Sequence, residues 1–90
     1  MARVFVPTLL RSMTGGVGEI EVEGATVREV VEALEARFPG IRDRLVDGAR
    51  FRPNVSVAVD GEVSPAGLRE AVGPDSEVHF VTAIRGGTNN

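Results

Sequence analysis

The sequence contains no cysteine, no lysine, no tryptophan and no tyrosine, and its single histidine is His79. Without cysteine, the chain has no disulfide bond, no thiolate nucleophile and no zinc-thiolate site. A Ser/His/Asp site or a histidine-rich metal site would depend on His79 alone. Because all ten basic residues are arginine, no side chain offers an amine for an isopeptide bond to another copy. Chains of linked copies are therefore not expected.

Charge and hydropathy argue against two further classes of protein. Thirteen acidic residues against ten basic ones give a net charge of −3, and the arginines are scattered along the chain. Nucleic-acid binding is therefore not expected. No apolar stretch is long enough to cross a bilayer, and the first residues lack the pattern of a signal peptide. The sequence predicts a cytoplasmic protein without a membrane partner.

Two strands are predicted at the start of a single small domain. The segment from Arg3 to Leu10 is rich in β-branched and aromatic residues, which indicates a strand that Pro7 bends. The segment from Glu19 to Glu23 alternates strictly, which directs its apolar residues to the core and three carboxylates to water. We expect the two strands to form a hairpin, and the carboxylates to form a solvated face rather than a cation site.

One amphipathic helix is predicted next. Thr26 and Glu29 have the spacing of a capping box, in which each side chain binds a free amide of the first helical turn. Apolar residues then recur at three- and four-residue intervals, so one face should pack on a sheet. Pro39-Gly40 ends the helix. The predicted apolar stripe consists of Val27, Val30, Val31, Leu34 and Phe38, and a short helical turn is expected between Ile41 and Val46.

The second half of the chain predicts three more strands. Asn54 to Val59 alternates, and Asp60-Gly61 is typical of a tight hairpin turn into a short strand at Glu62-Val63. The last strand is expected from Glu77 to Ile84. In that strand Val78, Phe80 and Thr82 should share one face, and His79, Val81 and Ala83 the other. Between these strands, Pro65 to Val72 predicts a loop with one helical turn, with Leu68 and Val72 closing the core.

These elements predict an α+β protein. Strands flank a single main helix without an alternating strand-helix-strand repeat, which favours one mixed sheet of four or five strands with the helix on one face. The Gly86-Gly87 pair lies beyond the last predicted strand. If extended, the segment from Ile84 to Gly87 would reach about 13 Å from the body. Residues without a Cβ can thread a narrow channel, so this tail suits delivery into another enzyme's active site.

Several segments resemble one known family. Pro74 to Gly87 resembles the C-terminal signature of the MoaD/ThiS sulfur carriers. The opening from Val6 to Arg11, followed by Thr14-Gly15-Gly16, is similar to that of the CysO-type carriers of cysteine biosynthesis. The segments Leu34 to Ile41 and Arg52 to Val55 follow the same pattern. The resemblance covers almost the whole chain.

The resemblance implies a ubiquitin-like β-grasp domain over residues 1–84 and a flexible tail over residues 85–90. It implies no intrinsic catalysis, no intrinsic cofactor and no metal site. In the family, an E1-like adenylyltransferase uses ATP to activate the terminal glycine carboxylate, here that of Gly87, and a sulfur donor converts it to a thiocarboxylate. The expected docking residues lie on and after the last strand: His79, Val81, Ala83, Ile84 and Arg85.

Two features depart from the family pattern. Arg85 stands where a small residue is usual, which adds bulk and charge before the glycines. Thr88, Asn89 and Asn90 follow Gly87, whose carbonyl is therefore part of an amide and offers no carboxylate to activate. Extended members of the family are matured by a metalloprotease of the JAMM class that cuts after the second glycine. The resemblance implies the same processing here.

The resemblance leaves the acceptor of the sulfur open. An acceptor enzyme such as a cysteine synthase is the first expectation. The chain could instead be the small, MoaD-like subunit of molybdopterin synthase, with its tail inserted into a larger subunit. A third possibility is a protein modifier joined to target lysines through Gly87, or an interaction domain that uses the fold without tail chemistry.

Overall fold

The computed structural model describes residues 1–82. Its strands and helices follow the predicted order, with one additional 3-10 helix and two additional short strands. The strands are β1 Ala2–Phe5, β2 Glu19–Val22, β3 Val46–Asp47, β4 Arg50–Phe51, β5 Val55–Val59, β6 Glu62–Val63 and β7 Glu77–Thr82. The helices are α1 Val27–Arg37 and α2 Ile41–Leu45, and two 3-10 helices cover Thr8–Thr14 and Gly67–Arg69. Within residues 1–82 no helix is long and apolar enough to cross a bilayer.

Five of the strands form one mixed sheet in the order β2-β1-β7-β5-β6. The first strand pairs antiparallel with β2, which confirms the predicted hairpin, and parallel with β7. On its other side β7 pairs antiparallel with β5. The N-terminal and C-terminal strands of the described chain are therefore neighbours at the centre of the sheet. The predicted α+β class with a five-stranded mixed sheet is confirmed.

The core lies between one face of this sheet and α1. The predicted stripe on α1 is confirmed, because Val27, Val30, Val31 and Leu34 are buried and Phe38 packs partly buried against them. From the sheet, Val4 and Val78 contribute side chains with no exposed surface. Full burial of a valine stabilises a fold by about 1.5–3 kcal/mol relative to exposure. The alternation in β2 is likewise confirmed, since Ile20 and Val22 are buried and the carboxylates face water.

Hydrogen bonds fix both ends of α1. The Thr26 hydroxyl accepts from the Glu29 amide, as the capping box predicts, whereas the Glu29 carboxylate accepts from the amide of Ala25 instead of that of Thr26. At the other end, Gly40 has φ of +100°, a conformation that favours glycine. The Glu35 carboxylate accepts from the amides of Gly40 and Arg42. It thereby satisfies backbone donors at the start of α2 that no helical carbonyl could reach.

The predicted first strand was too long. It ends at Phe5, and the chain from Thr8 to Thr14 forms a 3-10 helix instead. Pro7 has no amide hydrogen for the sheet, and its carbonyl accepts from the amide of Leu10, three residues on. That bond starts the 3-10 turn. The β-branched and aromatic composition of this segment predicted a longer strand. The strand ends at Phe5 because Pro7, two residues later, cannot continue the ladder of hydrogen bonds.

A small hairpin was not predicted. The strands β3 and β4 pair antiparallel around Gly48, whose φ is +71°. Each strand has only two residues, too few for an alternating pattern to be visible in the sequence. The hairpin follows α2, the short helical segment that was expected between Ile41 and Val46.

The predicted turn between β5 and β6 is confirmed. Asp60 and Gly61 both have positive φ, as the two-residue turn requires. The Asp60 carboxylate also accepts from the amide of Glu77 and the hydroxyl of Ser76, each at 2.9 Å. These bonds attach the turn to the start of β7. Leu68 is buried as predicted, and so is Val72.

The Glu35 contacts predict a pH-dependent stability. Hydrogen bonds from the amides of Arg42 and then Gly40 lower the pKa of the Glu35 carboxyl below its ordinary value. A lowered folded-state pKa stabilises the protein above the pKa of the unfolded chain, and this contribution is lost as pH falls through the folded pKa. Replacing Glu35→Gln should therefore reduce the free energy of unfolding at about pH 7, and the deficit should shrink toward about pH 3.

Urea unfolding of both proteins at the two pH values measures this difference. Glu23→Gln is the matched control, because Glu23 is exposed and forms no hydrogen bond or salt bridge within the described chain. It should change the free energy of unfolding little at either pH. A Glu35→Gln deficit that stays constant with pH would contradict the role of the ionised carboxylate.

Candidate functional site

The central strand β7 carries the described part of the predicted site. Its burial alternates as predicted: Val78 and Phe80 point into the core, whereas His79 and Val81 lie on the outer face of the sheet, away from α1. The ladder with β1 holds β7 as far as His79, and the ladder with β5 continues to Thr82. The backbone of His79 is therefore paired on both sides, and that of Val81 on the β5 side.

An aromatic pair lies at the middle of this outer face. Phe5 and His79 are register partners in the parallel pair of β1 and β7. Their rings stack with centroids 4.1 Å apart and planes inclined by 5°. On the other side, Ala58 of β5 pairs with His79 and leaves the imidazole uncovered. The stack forms a flat, half-exposed surface.

Charged residues lie at the end of the outer face where β7 begins. The Arg3 guanidinium is 3.0 Å from the Glu19 carboxylate and 3.8 Å from that of Glu77. The Glu77 carboxylate is also 3.9 Å from Nε2 of His79, beyond hydrogen-bond distance. These side chains are about half exposed, so water screens their attractions. They make this end of the outer face polar, and they contribute little to the stability of the fold.

The opposite end of the outer face, where β7 ends, is apolar. Val81 is 49% exposed and Leu9 60% exposed, unusual values for large aliphatic side chains. Both line a shallow depression with Pro7, Thr8 and Thr82. We call Leu9, Val81 and this depression the end patch. This exposed apolar cluster makes the end patch a candidate docking surface.

Two of the four main residues of this surface were predicted from the sequence. His79 and Val81 were predicted to dock a partner, and the structure places them side by side on the outer face. Phe5 and Leu9 were not predicted as part of it. Phe5 alternates with the buried Val4 and Val6, a signal that could have placed it outward. Leu9 gave no such signal, because the 3-10 helix that exposes it was predicted as strand.

The remaining predicted site residues lie outside the described residues. They are the predicted sulfur-carrying Gly86 and Gly87, the predicted docking residues Ala83, Ile84 and Arg85, and the predicted extension Thr88, Asn89 and Asn90. Their roles, and the boundary at residue 84, stay predictions. Thr82, the last described residue, belongs to the lining of the end patch.

The described part of the chain forms no cluster of metal-ligating side chains. Among residues 1–82, no three histidine or acidic residues come together as metal ligands could. His79 has no carboxylate within hydrogen-bond distance that would orient its imidazole as a general base. What these residues present instead is a half-apolar surface on the outer face of the sheet, at the end of β7.

Known proteins of similar sequence and structure identify the family of this chain. The model of the ThiS family matches residues 4–87. The sulfur carrier protein CysO of Mycobacterium tuberculosis is 33% identical over 89 aligned residues, which cover 93% of this chain and 96% of the relative. Its crystal structure superposes with a TM-score of 0.85 at 30% identity, over 93% of this chain and all of that one.

A second solved structure agrees more closely in shape. A chain of the Amycolatopsis orientalis BexX/CysO complex superposes with a TM-score of 0.91 at 33% identity, covering 96% of this chain and 99% of that one. These neighbours confirm the predicted ubiquitin-like β-grasp fold. From the match over residues 4–87 and the identity to CysO along nearly the whole length of both chains, we conclude that this chain belongs to the ThiS family.

Proposed function

We propose that this protein is a sulfur carrier that holds sulfur as a thiocarboxylate on Gly87. The observation that carries the proposal is the extent of the family match, which ends at Gly87 and leaves out the last three residues. The CysO relatives, which are sulfur carriers by name, support the same assignment. The end patch supports it as well, because an activating enzyme must grip the body beside the tail it charges.

The chemistry takes place on the chain end and requires a partner. A carboxylate is a poor electrophile, so an E1-like adenylyltransferase first joins the Gly87 carboxylate to AMP from ATP and releases pyrophosphate. Hydrosulfide released by a sulfur donor then attacks the acyl carbon, AMP leaves, a proton is lost to solvent, and the thiocarboxylate remains. Dividing one difficult substitution into two easier ones is the usual strategy of covalent catalysis. The carrier supplies the acyl group, and no side chain of its own takes part.

Maturation must precede this activation. In the encoded chain the Gly87 carbonyl is bonded to the nitrogen of Thr88, so it has no free carboxylate. We propose that a JAMM-type metalloprotease hydrolyses this bond and releases Thr88, Asn89 and Asn90 as a tripeptide. Two successive glycines suit a protease that must bind extended backbone, because neither adds a side chain to the cleft.

The outer face of the sheet is the proposed docking surface for the partners. The end patch gives an apolar contact beside the tail, and the Phe5–His79 stack gives a flat aromatic contact next to it. The charged cluster at Arg3 lies at the far end of the same face and can set orientation. The activating enzyme and then the sulfur acceptor would use this surface in turn. A cysteine synthase is the first choice of acceptor.

Gly87→Val tests the role of the terminal glycine. In a chain that ends at residue 87, this variant should unfold at the same urea concentration as the parent, because the buried core is formed by residues before position 83. Pyrophosphate release with the activating enzyme should be abolished, since the branched side chain blocks the acyl carbon. The uncleaved chain of 90 residues is the control, and it should also release none. Release by Gly87→Val at the rate of the parent would argue against activation at this residue.

Val81→Glu tests the docking surface. Placing a carboxylate in the end patch should raise the Kd for the activating enzyme about tenfold, a loss of about 1.4 kcal/mol. Isothermal titration calorimetry measures the Kd, and circular dichroism verifies the fold. Ala36→Glu introduces the same charge at an exposed position of α1, on the opposite side of the molecule, and should leave the Kd unchanged. If both variants bind like the parent, the end patch is not the docking surface.

A further inference from the structure

A second surface lies away from the outer face of the sheet. It is a groove of about 570 Å³ between α1, the β3–β4 hairpin, β5 and the segment 64–69. None of its lining residues belongs to the end patch. The sulfur-carrier proposal assigns it no role. Three features of the groove, namely its floor, its rim and its open strand edge, indicate the chemistry of what it binds.

The floor of the groove is apolar and firmly held. Val55, Val57 and Leu68 are buried members of the core whose surfaces line it. Phe51 is half-buried beside them, and its ring contacts the buried ring of Phe80 at a centroid distance of 6.0 Å. A ligand that enters here meets an ordered hydrophobic surface large enough for one or two apolar side chains.

The rim of the groove is positively charged. Three exposed arginines line it, Arg28 from α1, Arg50 from β4 and Arg69 from the second 3-10 helix. None of the three forms a salt bridge with another described residue, in contrast to Arg3 and Arg42. No residue that lines the groove is acidic. In a chain with a net charge of −3 this is a local concentration of unneutralised guanidinium groups, which bind carboxylates in a bidentate manner.

One edge of the groove is a strand edge. The short strand β6 pairs only with Ala58 and Val59 of β5, and the Ser64 amide then donates to the Val57 carbonyl. Between Val57 and Val55, this edge of β5 faces the groove. It pairs there with no further described strand. An exposed strand edge favours a ligand whose backbone is extended.

We propose that this groove binds an extended acidic segment of a partner protein. An apolar side chain of the segment would pack on Phe51 and Leu68, and flanking Asp or Glu residues would pair with the arginines of the rim. Because the groove and the end patch share no residue, a partner could hold the carrier here while the end patch engages an enzyme. The inference does not depend on the sulfur chemistry.

The test begins with a phage library of random heptapeptides panned against the intact protein. Selected sequences should carry at least two acidic residues flanking an apolar one. The best of them, labelled with fluorescein, gives the Kd by fluorescence anisotropy. Binding should weaken as salt is raised, because exposed charge pairs are screened. Enrichment of no sequence, or of sequences without acidic residues, would overturn the proposal.

Charge reversal locates the site. Arg69→Glu and Arg50→Glu should each raise the peptide Kd about tenfold. Arg37→Glu is the matched control, because Arg37 is an exposed arginine of α1 outside the groove, and it should change the Kd less than about twofold. Two exposed positions are tested so that misfolding of one variant leaves the other informative. If Arg37→Glu weakens binding as much as the groove variants do, the peptide senses net charge and the groove is not its site.

Two further probes distinguish other anionic ligands. Labelled oligouridylate and inorganic phosphate are measured in the same buffer as the peptide. The proposal expects both to bind at least about tenfold more weakly, because neither offers an apolar side chain for the floor. Tighter binding of oligouridylate, or displacement of the peptide by phosphate at equal concentration, would overturn it in favour of a general anion site.

Discussion

The parallel pairing of β1 with β7 places the first and last strands of the described chain side by side at the centre of the sheet. Val4 and Val78 are partners in this ladder, and both are completely buried against the core. The strand that leads to the tail is therefore among the most deeply held parts of the fold, and separating it would expose the core. The proposed delivery of the chain terminus to an enzyme would therefore leave the core strands in place.

The strands of this ladder give the sheet one buried face, which packs under α1, and one exposed outer face. Successive side chains of β7 alternate between the core under α1 and the outer surface, so His79 and Val81 are exposed because Val78 and Phe80 are buried. Phe5 follows the same rule from β1 and meets His79 across the pair. Under the proposed function, the exposed side of this strand serves recognition and its buried side serves stability.

Most of the fold could be predicted because its signals are local. Alternation in β2 and β5, the Thr26–Glu29 cap and the Asp60-Gly61 turn each depend on neighbouring residues, and each was found in the structure. The errors occurred where a single contact overrode composition or where an element was too short. Pro7 turned an apparent strand into a 3-10 helix, and the two-residue strands β3 and β4 carried no periodic signal.

The candidate site was predictable only in part, for a different reason. The Gly86-Gly87 pair and its position after the last strand are properties of the sequence, as is the outward direction of Val81. The stack of Phe5 on His79 joins residues far apart in the sequence, and the groove joins α1 with β5, the β3–β4 hairpin and the segment 64–69. Such long-range contacts depend on strand register and on the packing of the helix, which no local pattern in this sequence specifies.

The claim on which the functional account depends is that the chain becomes active when it ends at Gly87 and carries sulfur there. Mass spectrometry of the intact protein from its native cell tests this most directly. The account predicts a species that has lost Thr88, Asn89 and Asn90 and has exchanged one carboxylate oxygen for sulfur. A population in which every molecule retains Asn90 under all growth conditions would contradict it.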